Sequence, residues 1–372
     1  MNIFNSYLMG GFECSTHKKQ GGTRLDLIAS TNHDKFAEAD YLRLLNIGIK
    51  TARDGVRWHL IERKPFKYDF TSLKNQVQAV RQTGIQIIWD LFHYGFPDDL
   101  DIFSSQFVDR FAAFSSATAQ FLKNQINGTL FLCPVNEISF FAWIAGEVGG
   151  FYPFAKKRGD DLKRQLVKAT IHATEAIRQV VSEVRFVQTD PAIHVTTGKK
   201  NARAKNLAEN YRQAQFQAFD MLCGKLHPEL GGAAKYLDII GLNYYFHNQW
   251  FYPNRRKIMR EHPLYRPLHE ILEEYQKRYK RPLLIAETGI ENDERADWFR
   301  FICAETKIAH NKKIQLEGVC LYPILNHPGW NDDRHCQNGL WDYADENGNR
   351  KIYQPLADEI MSQINIFKAH QS

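Results

Sequence analysis

The sequence has no run of about 18 consecutive apolar residues, so it offers no candidate for a membrane-spanning helix. Met1 to Gly11 lacks the basic segment, apolar run and small-residue cleavage site of a secretory leader. A soluble, cytoplasmic protein with no membrane partner is expected. The 6 cysteines (Cys14, Cys133, Cys223, Cys303, Cys320 and Cys336) stand singly, without a CxxC pair or zinc-ligand spacing, and read as reduced, mostly buried thiols. Neither GxGxxG nor GxxxxGK[ST] occurs, which removes the usual phosphate-cradling loops. No Ser, Gly or Pro linker, low-complexity tract or internal repeat divides the chain. A single domain over residues 1–372 is therefore expected, since α/β barrels routinely exceed about 250 residues as one unit.

Charge of one sign is also scarce: 48 Lys and Arg are scattered among 42 Asp and Glu, a balance that gives no sign of nucleic-acid binding. The densest basic stretch, Arg255, Arg256, Lys257 and Arg260, reads either as a solvated loop or as a contact for an acidic substrate group. Hydrophobic residues make up 44% of the chain, enough for a large, ordinary core.

What the chain does have is alternation. Short apolar or β-branched runs near 7–13, 48–57, 85–92, 129–135, 184–190, 237–243, 282–287 and 317–325 are predicted as strands. Each precedes a stretch of helical periodicity, near 34–46, 71–83, 104–124, 160–182, 203–223, 267–279, 293–312 and 354–368. Asp34 and Thr71 serve as helix start signals, and Gly48 and Gly84 follow two helix ends. Eight βα pairs in succession predict an α/β fold, the closed (β/α)8 TIM barrel, in which chemistry sits at the carboxyl ends of the strands.

At those ends two carboxylates stand out. The fourth strand, Leu130 to Val135, runs into Asn136-Glu137, and the seventh, Pro282 to Ala286, runs into Glu287. Strands four and seven face each other across a barrel, and cleavage of a glycosidic bond needs a carboxyl pair on opposite sides of the anomeric carbon. An ionised nucleophile at Glu287 calls for a nearby cation and a hydrogen-bond donor, whereas a protonated acid at Glu137 calls for a less polar setting.

These segments resemble motifs of the family 1 glycoside hydrolases, the β-glucosidase-like members of the retaining barrel glycosidases. Val135-Asn136-Glu137 with Phe141-Ala142-Trp143 is similar to the family's acid/base stretch, and Ile285-Ala286-Glu287-Thr288-Gly289 to its nucleophile motif. Ile240 to Tyr245 resembles the strand-six segment whose second tyrosine bonds the nucleophile. The resemblance implies retaining cleavage of a β-glycosidic bond in a carbohydrate substrate, with Glu137 as acid/base and Glu287 as nucleophile, and with no metal or cofactor. It implies that Arg53 and Tyr245 hold the nucleophile, that His93 and Asn136 bind sugar hydroxyls, and that Tyr322 and Trp330 stack on sugar rings. His17 falls near the family's hydroxyl-gripping glutamine and Gly329 at its distal glutamate, so the usual glucose grip is expected to be absent. Arg334 and His335 are then candidate donors to a bulkier or acidic sugar.

Two alternatives stand beside hydrolysis. A catalytically silent carbohydrate-binding barrel is disfavoured by the retention of Glu137, Glu287, Arg53 and Tyr245. A transglycosidase or endo-glycanase would share both glutamates. Trp143 reads as a packing residue, Trp58, Tyr244 and Tyr245 read equally as packing or as part of the site, and the cluster Asn331 to His335 reads as a polar loop and not a metal site.

Overall fold

All eight apolar runs become strands, and a computed structural model, describing residues 3–371 with side chains to 367, joins them in one closed parallel barrel. They are β1 (Leu8–Gly11), β2 (Thr51–Gly55), β3 (Gln86–Asp90), β4 (Leu130–Cys133), β5 (Val184–Pro191), β6 (Ile239–Asn243), β7 (Leu283–Thr288) and β8 (Leu316–Leu321). Neighbours in sequence are neighbours in the barrel, and β8 closes on β1 through Leu8↔Val319, Met9↔Cys320 and Gly10↔Leu321. The last strand is shorter than expected because Pro323 has no amide hydrogen with which to extend the ladder.

Helices cover the outside: α1 (His33–Asn46), α2 (Lys74–Thr83), α3 (Ser105–Gln125), α4 (Gly159–Val180), α5 (Ala202–Gln213), α6 (Gln217–Leu222), α7 (Leu268–Tyr279), α8 (Arg295–Asn311) and α9 (Gln354–Gln371). The expected helix over 203–223 is broken between α5 and α6, where the Gln215 side chain turns inward. There it accepts bonds from Ile193 N (2.8 Å) and Tyr275 Oη (3.0 Å), which ties the chain beyond β5 to α7. Thr71 does not cap its helix. Asp69 caps the 3-10 turn Phe70–Leu73 that leads into α2, accepting from Thr71 N at 2.9 Å. Asp34 lies inside the first turn of α1, where it pairs with Arg57 at 2.9 Å. Gly84 closes α2 in the left-handed region at φ 71, a conformation that costs glycine nothing.

Apolar side chains divide into two layers. Phe4, Met9, Ile88, Phe131, Val187 and Leu284 fill the barrel interior, and a larger cluster lies between strands and helices. In α1, buried His33 bridges Asp40 and, on β2, Asp54 at 2.9 Å each, and Arg350 reaches Asp40 at 2.7 Å, tying the hairpin of Trp341–Ala344 and Arg350–Ile352 to α1. Burial alone would lower the His33 pKa; the two aspartates outweigh it and lift it to about 9. Among the described residues no helix is long and apolar enough to cross a membrane.

Candidate active site

Above the apolar plug the strands end in polar side chains that meet one another. β2 supplies Arg53, β3 Asp90, β6 Asn243 and β7 Glu287, while Thr189 comes from β5 and Asn136 follows β4. All six are buried. The Arg53 guanidinium is the hub: Nη1 donates to Glu287 Oε1 (3.0 Å) and Ala286 O (2.9 Å), and Nη2 to Asp90 Oδ2 (2.6 Å) and Asn136 Oδ1 (3.1 Å). Asn136 Oδ1 also accepts from Thr189 Oγ1 at 2.8 Å, and Asn136 Nδ2 lies 3.1 Å from His93 Nε2. His93 Nδ1 faces Asp90 at 3.0 Å. Burial would lower the His93 pKa, but Asp90 and Glu13 raise it above its ordinary value.

The two glutamates are dressed differently. Glu287 receives Arg53 and, from the other side, the Tyr245 hydroxyl at 2.8 Å. Glu137 has no cation in contact among the described residues and takes one short bond, 2.5 Å, from the Tyr94 hydroxyl. Burial, then the charge of Glu287, pushes the Glu137 pKa up to about 8, against the pull of Tyr94 and Asn243. Burial raises Glu287 as well, contrary to the expectation of a depressed value, and Arg53 and His93 offset only part of that. Of the two, Glu287 is the one that faces a guanidinium, an arrangement that favours its ionised form.

Glu137 also carries backbone strain. It adopts φ 51, ψ 63 at the turn from β4 into the short helix Ile138–Phe141, a left-handed conformation costing of order 1–3 kcal/mol in a non-glycine residue. The helix start holds it there: Ser139 N donates to Asp190 Oδ1 at 2.8 Å, and Ser139 Oγ bonds the other oxygen. Glu137 N donates to Thr189 O at 3.1 Å.

Glu137 and Glu287 line one cavity of about 650 Å³, together with His93, Tyr245 and Trp330. Arg53 and Asn136 lie behind its wall. Tyr322, expected to stack on a sugar, is instead 1% exposed, with the Arg53 guanidinium 5.2 Å from its ring and His93 stacked at 6.2 Å. It occupies room that only glycine leaves, since a Cβ on Gly11 would lie 2.0 Å from the Tyr322 ring. His17 is fully buried outside the wall, stacked on Phe151 at 3.7 Å, with neither ring nitrogen bonded. Burial lowers its pKa to about 3, so it stays neutral. Trp143, read as packing, lines the cavity.

A Cβ on Gly329 would meet Asp332 Oδ1 at 2.0 Å, so the Asp332 side chain takes the place beside the glycine. Arg334, offered as a donor, holds Glu291 with both nitrogens at 2.7 and 2.6 Å, and His335 pairs with Asp342 at 2.7 Å. Glu13, unremarked in the sequence, reaches the cavity from beyond β1, 3.7 Å from His93 Nε2. Asp90, Tyr94 and Glu13 were missed; the one signal for each is a polar side chain at or just past a strand end. Among the described residues Cys14, Asp90 and His93 have ligand atoms within 4.8 Å of one another. Asp90 already bonds Arg53 through both oxygens, and that guanidinium opposes a cation there.

No family model matches the chain, and no curated protein matches its sequence. Its fold does have solved counterparts, several of them β-glucosidases. A family 1 β-glucosidase from Thermotoga maritima superposes with TM-score 0.78 at 14% identity, covering 99% of this chain and 98% of its own. A β-glucosidase of the same organism in complex with glucoimidazole gives 0.79 at 14% identity, with coverage of 99% and 98%. The AHE enzyme from Alicyclobacillus herbarius gives 0.81 at 16% identity, covering 98% of this chain and 99% of its own. At these identities the likeness establishes a shared fold.

Proposed function

We propose that the protein is a retaining glycoside hydrolase, similar to the family 1 β-glucosidases, that cleaves a β-glycosidic bond without metal or cofactor. The observation that carries this reading is the unequal dressing of Glu137 and Glu287 within one cavity. Glu287 attacks the anomeric carbon as Glu137 gives its proton to the departing oxygen, forming a glycosyl ester and the free leaving group. Glu137, now ionised, takes a proton from water as the water oxygen displaces Glu287. Arg53, Tyr245 and Asn136 act by positioning, and Trp330 offers a flat face to the sugar. The aromatic end of the cavity would equally hold an acceptor sugar for transglycosylation.

Two inversions at one carbon restore its configuration. NMR of the first-formed product should therefore show the substrate's anomeric configuration retained; an inverted product would refute double displacement.

The pH profile follows from the same pair. Glu137 must be protonated, so kcat/KM should fall as pH rises through about 8. Glu287 must be ionised, so activity should fall again on the acid side, at a pH above the usual glutamate range because burial raises it. An alkaline limb near pH 5 would be incompatible with Glu137 as the acid.

A further inference from the structure

Past Ser139 the cavity leaves the glutamates and runs toward the segment that follows β6, between Trp143, Tyr211 and Trp250. Arg255 and Lys257 stand at that end. The three carboxylates in the wall, Glu13, Glu137 and Glu287, all come from strand ends, so nothing acidic in the wall faces the two cations there.

Arg255 and Lys257 also lack partners elsewhere: among the described residues neither forms an ion pair. Other exposed arginines do, as Arg334 with Glu291 and Arg300 with Asp297. Their heads are held on aromatic rings instead. The Arg255 guanidinium sits 4.9 Å from the Trp143 centroid, with Nη2 3.5 Å from Tyr211 Oη, and Lys257 Nζ sits 4.1 Å from the Phe246 centroid. Such contacts leave the N–H groups available to an acceptor.

The segment is braced. Gln249–Phe251 pairs with His194–Thr196, Trp250 bridges Lys257, and the turn closes through Arg255 N to Phe251 O at 2.8 Å. Half-buried Lys163, bonded to Gln217 at 2.8 Å, adds positive charge to the wall. Burial and Lys257 lower the neighbouring His247 to about 4, which keeps that ring neutral.

We infer that this end of the cavity is a leaving-group subsite for a flat-faced ring bearing a carboxylate, supplied by an aromatic acid or by a sugar acid. Aromatic walls cover the faces of such a ring, and two unpaired cations meet its anionic edge. Naming it a leaving-group subsite rests on the glycosidase reading; its binding preference does not.

The test is calorimetric titration of the whole chain with 4-hydroxybenzoate, methyl 4-hydroxybenzoate and D-glucuronate, in parallel with Arg255→Met/Lys257→Met. The benzoate should bind about tenfold tighter than its ester at low ionic strength, with the ratio shrinking in high salt and falling to about twofold or less in the double variant. Glucuronate binding with the same salt and variant dependence, and no benzoate binding, would support the subsite and assign it to a sugar acid. An ester that binds as tightly as the acid, a ratio indifferent to the double variant, or no binding of either acid would overturn the inference. No bond is cleaved in this experiment. Carboxylate binding without hydrolysis of any glycoside would therefore sink the catalytic reading alone.

Discussion

Glu287→Gln should abolish turnover, lowering kcat on the order of 10⁵-fold or more on every substrate, activated aryl glycosides included. An amide has no charge with which to attack the anomeric carbon, and a better leaving group cannot compensate for an absent nucleophile. The substitution is nearly isosteric, so Tyr245 can still donate to the amide oxygen, and Arg53 keeps both oxygens of Asp90. Single-turnover assays with an unchanged circular dichroism spectrum would separate lost chemistry from lost structure. Residual activity within about tenfold of the parent would remove Glu287 from the nucleophile's role.

Glu137→Gln should behave otherwise. Glycosides with poor leaving groups should slow by about 100 to 10,000-fold and activated aryl glycosides by much less in the first step, since a stable phenolate needs no proton. The second step still needs a base, so the glycosyl ester should accumulate and appear as a burst of phenol. The alkaline limb of the pH profile should vanish, because the group that titrates to about 8 is gone. Equal slowing of good and poor leaving groups would contradict the assignment.

The barrel was legible because parallel strands are buried on both faces and read as unbroken apolar runs, such as Leu130-Phe131-Leu132-Cys133 and Leu283-Leu284-Ile285-Ala286. Glu137 and Glu287 were legible for the opposite reason: a carboxylate closing an apolar run has nowhere to go but the barrel mouth. Direction was not legible. Sequence spacing places a side chain at the mouth but does not say whether it faces the cavity or turns beneath it. Tyr322 turned beneath because Gly11, some 300 residues away, leaves room for its ring. His17 stacked on Phe151, while Glu13, four residues earlier, reached the cavity. Asp90 went unread because its partner, Arg53, belongs to the preceding strand, and only the parallel register, Arg53↔Ile88, brings Asp90 to the same face two residues on.

The polar layer over the barrel plug also bears on how the fold can be altered. Arg53, Asp90, His93, Asn136 and Glu287 are buried and bonded largely to one another, an arrangement that well-packed valine or leucine of similar volume would often match or exceed in stability. A barrel under selection for persistence alone would have drifted toward such a filling. The layer is instead a standing trade of folding free energy for a fixed electrostatic field, and its charged members depend on one another. Removing Asp90 would leave the buried guanidinium with Glu287 as its one carboxylate partner, and removing Arg53 would leave two buried carboxylates without their cation. At Asp90 and Arg53 loss of fold and loss of function arrive together, whereas the exposed cations Arg255 and Lys257 can be changed without touching the core.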